Sequence, residues 1–456
     1  MSMKHEVPST TLRPSASDLM RSGLLFIGAA ASPRLPRSIF ARRAMSTLSA
    51  ALSARISATD VPCIVQMQQM LRGKTDVLSL AQGIVHWPPP EQALAAGRAA
   101  MLEPDTSMYG ADDGILPLRD ALKAKLAAEN GIVNSEVMVT AGANQAYTNI
   151  VLTLMDAGDP SLLYRPYYFN HLMALQMTGS QDELVLPPNL PDLQPDLGFL
   201  KQELERRAAD PNTKQLKMIT LCNPGNPTGV MIPKATLEEA SELCKRFGVW
   251  LIIDNTYEHF AYADCPPHEC IEADHIVNVF SFSKAFGMMG WRVGYVAFPP
   301  ILGPQLFKVQ DTIAICPTIA SQKLALGALS AGRGWVTERV DALAEQKALV
   351  LDALHTHLGA ENVKGGSGAI YLFCKLPEGV EDDMTAVRYL VEEHGVCLIP
   401  GSACGMPGHV RVCYANVSLE KTREAAKRLH AGLGALAAGT VDLAAIKQRA
   451  EAGGSA

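Results

Sequence analysis

The sequence predicts an α/β fold: a mostly parallel sheet between helices, followed by a smaller α+β unit towards the C terminus. Two observations carry this. From Glu136 onward, short apolar runs alternate with stretches of helical periodicity, the rhythm of strand and helix units whose strands are buried on both faces. The 456 residues are also 48% hydrophobic and 19% charged, which allows a large core spread over two or three domains.

In chain order, residues 1–49 stand apart. Arg13, Arg21, Arg34, Arg37, Arg42 and Arg43 lie among serines, prolines and alanines, while Glu6 and Asp18 are the acidic residues. That composition resembles a transit peptide for a mitochondrion or plastid; the alternative is a disordered arm on a cytoplasmic protein. Between 60 and 78, Ile64, Val65, Met67, Met70 and Leu71 repeat at helical spacing, and a short strand over 79–83 ends in a glycine loop. Residues 89–101 read as a helix started by proline, and 117–129 as a helix closed by Asn130-Gly131. The strand 136–140 runs through a glycine turn into a long helix ending near Met155. Further strands are expected over 161–165, 183–186, 216–221, 249–254, 276–280 and 293–298. A long helix is expected over 335–358. Then come a strand at 369–374, a helix at 384–394, strands at 396–399 and 410–413, and a helix at 418–436. The Ala- and Gly-rich end after Ala437 is expected to fray.

Composition excludes some classes. A net charge of -6 with dispersed lysine and arginine offers no basic face for nucleic acid. No apolar run approaches the roughly 20 residues of a membrane helix. Ten cysteines are spread singly from Cys63 to Cys413, which suits reduced thiols better than a disulfide scaffold. Cys265, His268, Cys270 and His275 cluster in sequence but match no common zinc spacing, so no metal is expected.

The chemistry centres on Ser281-Phe282-Ser283-Lys284, followed by Gly287, Gly290 and Arg292. A lysine among hydroxyls and glycines, with an arginine nearby, suits a pyridoxal phosphate site. The amine attaches to the cofactor's aldehyde, and the hydroxyls and the guanidinium hold its phosphate. Gly142-Ala143-Asn144 opens a helix whose unpaired N–H groups can bind phosphate. Asp254 ends an apolar strand, where open α/β sheets present their ligands, and can keep a pyridine nitrogen protonated. Tyr257 can donate to the ring oxygen. Asn223-Pro224-Gly225-Asn226-Pro227-Thr228-Gly229 follows another strand end and aims Asn226. Arg411 lies on a mostly apolar strand, a costly place for a cation without an anionic partner. His86 and Trp87 are candidates for a side-chain pocket.

Together with Tyr109, Tyr168 in the run from Pro166 to His171, and the motif Asn226-Pro227-Thr228-Gly229, these residues resemble the class I and II aminotransferases of fold type I, over about 60–437. The resemblance implies a large cofactor-binding domain at 89–335 and a small C-terminal domain at 336–437. The segment 50–88 would join the small domain, and 438–456 would form a flexible tail. It implies that Lys284 is catalytic and that Asp254 holds the pyridine nitrogen. Tyr257 and Asn226 would bind the ring oxygen, and Tyr168 would stack on the ring. Ser281, Arg292, Gly142, Ala143 and Asn144 would bind phosphate with Tyr109 of the partner subunit in a homodimer. Arg411 and the Gly83 backbone would bind the substrate carboxylate. A narrower similarity, including Asn255 where many members carry glutamate, is to plant aromatic aminotransferases that pass the amino group of methionine to indole-3-pyruvate. The expected donors are neutral or aromatic amino acids. The alternative is a lyase on the same fold, cleaving a C–S bond or forming aminocyclopropane carboxylate.

Overall fold

The computed structural model describes residues 52–262 and 265–453; the basic segment 1–49 lies outside them. Its main sheet has seven strands in the order β2-β8-β7-β6-β5-β3-β4. These are β2 (Glu136–Thr140), β3 (Ser161–Leu163), β4 (Leu184–Val185), β5 (Met218–Cys222), β6 (Trp250–Asp254), β7 (Ile276–Ser281) and β8 (Gly294–Phe298). Strand β8 runs antiparallel to its neighbours β2 and β7, whereas β4, β3, β5, β6 and β7 pair in parallel. The C-terminal ends of β2, β5, β6 and β7 therefore point the same way, and the chain leaving each of them enters the site described below.

Alternate residues of the central strands face opposite helical layers. Ile252 packs with Met218, Val277 and Val296 under the helices Ala143–Leu154, Phe169–Thr178 and Gly303–Ala314. Its neighbours Leu251 and Ile253 pack with Ile219 and Leu221 on the other face, under Leu197–Ala209 and Lys234–Phe247. Burial on both faces is why these strands read as continuous apolar runs.

A second, antiparallel sheet has the order β12-β13-β10-β9, formed by β9 (Val363–Gly365), β10 (Tyr371–Lys375), β12 (Ile399–Pro400) and β13 (His409–Cys413). The expected strand at 396–399 is divided. Strand β11 (Val396–Cys397) pairs in parallel with β1 (Leu78–Ser79), and β12 pairs with β13. The strand expected at 79–83 is thus short, and Gly83 lies in the loop after it.

Other departures have local causes. The helix expected at 335–358 is two, Gly332–Asp341 and Ala344–Leu358, with the interruption at Ala342 and Leu343. The helix before Gly131 ends in a π-turn, Leu126–Asn130, closed by that glycine at φ 66°. The tail expected to fray instead folds as a helix, Leu443–Gly453. Ile446 is buried, and Lys447 and Arg449 pair with Asp382 and Glu393 at 2.9 and 3.2 Å. No helix among the described residues is long and apolar enough to cross a membrane.

Candidate active site

Four loops at the C-terminal ends of the large sheet converge on one open cavity. Strand β6 delivers Asp254 and Tyr257, β7 delivers Ser281, Ser283 and Lys284, the loop after β5 brings Asn226, and the turn after β2 brings Ala143 and Asn144. Tyr168, Arg292, Gly83 and Arg411 complete the expected set. Gly142 stands just behind, packed so tightly that a Cβ there would lie 2.4 Å from an Arg292 amine. Tyr109 is not part of this cavity; it is 81% exposed.

The Lys284 amine donates to the Gly83 carbonyl at 2.5 Å. Desolvation lowers its pKa to about 8, with the positive charges of Arg292 and Arg411 adding and Cys413 and Asp254 opposing. At neutral pH a usable fraction of the amine is therefore unprotonated. Asp254 is buried, which by itself would raise its pKa. Hydrogen bonds from His171 Nε2 at 3.0 Å and the Thr256 N–H at 3.0 Å outweigh burial and hold the carboxyl below its usual range. The site thus keeps one anion at the end of β6.

Arg411 is the decisive cation. Its side chain is 2% exposed, and its guanidinium donates to Asn226 Oδ1 at 2.8 Å and the Ala81 carbonyl at 2.7 Å. Its Nε has no partner. Among the described residues no carboxylate lies within 4.0 Å of it, so no structural salt bridge balances the charge. Arg292, whose backbone is left-handed at φ 53°, donates to the carbonyls of Met289 and Ala141 at 2.9 and 3.3 Å and also lacks a carboxylate partner among them.

Among the residues that were not anticipated, two hold expected site residues in place. His171, its ring tilted at 36° to that of Tyr147 with the centroids 4.2 Å apart, anchors Asp254, and Tyr371, at the start of β10, places its hydroxyl against that of Tyr257. Conversely, His86 and Trp87 do not line the cavity. His86 bonds to the Ala415 carbonyl, while Trp87 is buried against Phe260 and donates to the Ala285 carbonyl. Ile64, Gln82, Ile84 and Met289 take the lining positions instead.

Beside the site, Glu258 is buried between Lys125, Asn130 and His259. Burial would raise its pKa, but Lys125 and the nearby histidines bring it down to about 2. His268 bonds to Asn255. Burial pushes His259 and His268 down to about 4 against the pull of Glu258. Both stay neutral in the folded chain, whereas the unfolded chain takes up these protons near its ordinary value of 6.5. Stability is thus full above that pH and falls as pH drops towards 4. The urea midpoint is expected to fall by an amount worth several kcal/mol between pH 7.5 and pH 4.5; a flat profile over that window would contradict these two buried histidines.

Comparison with known proteins decides the family: residues 75–429 match the family model for aminotransferase class I and II. The chain belongs to the class I and II aminotransferases. It is 49% identical over 385 residues to the aromatic aminotransferase ISS1 of Arabidopsis thaliana, covering 84% of this chain and 96% of that protein. It is 31% identical to the aspartate/prephenate aminotransferase of Thermus thermophilus, covering 86% and 100%. Among solved structures, a mutant of T. thermophilus aspartate aminotransferase superposes with a TM-score of 0.75 at 29% identity, covering 84% and 100% of the two chains. An aromatic aminotransferase from Pyrococcus horikoshii gives 0.71 at 28% identity, covering 80% and 98%. The fold is that of fold type I, and the enzymes of this family depend on pyridoxal phosphate.

The residues present fit that cofactor. One buried carboxylate, one amine of lowered pKa, and a cluster of serine hydroxyls, helix-start amides and a guanidinium without an acid partner face a single cavity. This donor set suits a protonated pyridine nitrogen, an aldehyde and a phosphate.

Proposed function

We propose that this aminotransferase moves the amino group of a neutral or aromatic amino acid, such as methionine, phenylalanine or tryptophan, to a 2-oxo acid such as indole-3-pyruvate or phenylpyruvate. The charge inventory of the cavity carries the reading. Its lysine and arginine side chains are Lys284, Arg292 and Arg411. Cofactor attachment, phosphate and the substrate's α-carboxylate use all three, which leaves none among the described residues lining the cavity for a side-chain carboxylate. Ile64, Ile84 and Met289 offer apolar contacts instead. The aromatic activity in the name of the Arabidopsis relative agrees with this, at higher identity than the aspartate/prephenate enzyme of Thermus.

In this reading pyridoxal phosphate, when bound, supplies the aldehyde that receives the amino group and a ring that withdraws electrons from the substrate α-carbon. Asp254, fixed by His171, keeps the pyridine nitrogen protonated. Asn226 and Tyr257 hold the ring oxygen, and Tyr168 covers the ring. Ser281, Arg292 and the backbone of Gly142, Ala143 and Asn144 hold the phosphate. Arg411, aided by the Gly83 backbone, grips the substrate carboxylate as a planar fork. Lys284 has an amine basic enough to take the substrate's α-proton, and would return it to the carbon that carried the cofactor's aldehyde, two bonds away across the transferred nitrogen.

Tyr109 of the partner subunit would complete the phosphate site in a homodimer. Supporting this, Met108 and Tyr109 are exposed beside Gly110, whose N–H bonds to Cys316, next to exposed Ile313 and Ile315. Sedimentation of the purified protein as a monomer at micromolar concentration would contradict it. The division into a large domain, 89–335, and a small one, 336–437, is part of the same reading. The arginine-rich 1–49 supports an organellar address, mitochondrial or plastid; a reporter fused to these residues that stayed in the cytosol would remove it.

A coupled assay tests the activity. Methionine with indole-3-pyruvate is expected to yield tryptophan. Pyruvate released from cysteine conjugates without any oxo acid acceptor would favour the lyase instead.

A further inference from the structure

We propose that Tyr371 is a positioning residue for this reaction: its hydroxyl donates a hydrogen bond to the Tyr257 hydroxyl, leaving the Tyr257 proton aimed at the ring oxygen of the cofactor. The inference rests on the cofactor assignment above. The two hydroxyls are buried and in hydrogen-bonding contact, and their rings meet edge to face at 5.4 Å. Of two phenols sharing one hydrogen bond, only one donates to the other, so the direction of that bond decides where the Tyr257 proton points.

One contact favours Tyr371 as the donor. The Arg411 guanidinium lies over the Tyr371 ring, 4.4 Å from its centroid, and a cation on the ring face makes the phenol a stronger donor. Burial raises the pKa of both tyrosines, and the Arg411 charge opposes this in each. The Tyr371 hydroxyl is also fixed in place. It occupies the space a side chain at position 83 would need, since a Cβ on Gly83 would lie 1.9 Å from it. The other titratable groups facing the pair are Cys413 on β13 and Tyr168 at the start of the helix Phe169–Thr178, with Lys284, Arg292 and Asp254 lining the same cavity. Hydrogen bonds in series polarise one another, so donation by Tyr371 strengthens donation by Tyr257. A stronger donor at the ring oxygen lowers the pH at which the nitrogen joining Lys284 to the cofactor gives up its proton.

The test is a pH titration of the visible absorbance of the substrate-free holoenzyme, for the wild type, Tyr371→Phe, Tyr257→Phe and the double variant. Tyr371→Phe is expected to keep the cofactor and to move the midpoint upward by about half to one pH unit, the size of one hydrogen bond. In the Tyr257→Phe background the same change is expected to add nothing, because the effect runs through Tyr257. An unmoved or lowered midpoint in Tyr371→Phe, or an equal shift without the Tyr257 hydroxyl, would overturn the proposal. A wild-type protein without a visible cofactor band would instead overturn the cofactor assignment, so the two failures are distinguishable.

Discussion

Lys284→Ala is expected to give a folded protein that still takes up pyridoxal phosphate but turns over at least about a thousandfold more slowly, the scale of a positioned acid–base group. Lys284 lies three residues beyond the end of β7 with its amine on the Gly83 carbonyl, so its loss would remove the proposed proton carrier without opening the core. The phosphate donors and Asp254 are untouched by the change, which is why cofactor uptake survives. Single-turnover kinetics on the reconstituted variant checks this. Rates close to wild type would end the assignment of Lys284 as the group that moves the proton.

Arg411→Ala is expected to weaken substrate binding. Truncating one partner of a buried charged pair costs about 2–5 kcal/mol, or roughly thirty- to several-thousandfold in kcat/KM. A guanidinium without an acid partner in the folded chain is a cost to stability rather than a support for it. Its removal forfeits the bonds to Asn226 and Ala81 but also relieves an unbalanced buried charge. The predicted signature is therefore a large rise in KM with little change in Tm. A large fall in Tm with unchanged substrate dependence would show that Arg411 is structural.

Much of this site was legible because its polar residues interrupt or end apolar strands. Asp254 closes Trp-Leu-Ile-Ile-Asp, Ser281 closes β7, and Arg411 breaks an apolar strand of the second sheet; each is expensive there unless a ligand or partner needs it. Asn226 was found through the proline and glycine loop that holds it. Tyr371 carried no such signal. It opens a strand that is apolar up to its last residue, Lys375, and meets Tyr257 across 114 residues of sequence, a contact that only the docking of the second sheet creates. His171 was hidden for the same reason, because it lies on a helix and reaches Asp254 across 83 residues. His86 and Trp87 illustrate the opposite error: proximity in sequence to Gly83 suggested a pocket, but the loop turns Trp87 into the core. In the C-terminal tail, alanine and glycine content suggested fraying. Leu443, Ile446, Lys447 and Arg449 nonetheless provide one buried contact and two ion pairs, enough to dock a helix.

The proposed acceptance of amino acids with neutral or aromatic side chains is tested most directly by mixing the purified holoenzyme with single amino acids and following the conversion of the bound cofactor from its aldehyde to its amine form by absorbance. Fast conversion with methionine, phenylalanine and tryptophan, reversed by indole-3-pyruvate or phenylpyruvate, is the predicted result. Fast conversion with aspartate or glutamate alone would contradict it, and would mean that a cation outside the residues lining this cavity serves the substrate side chain.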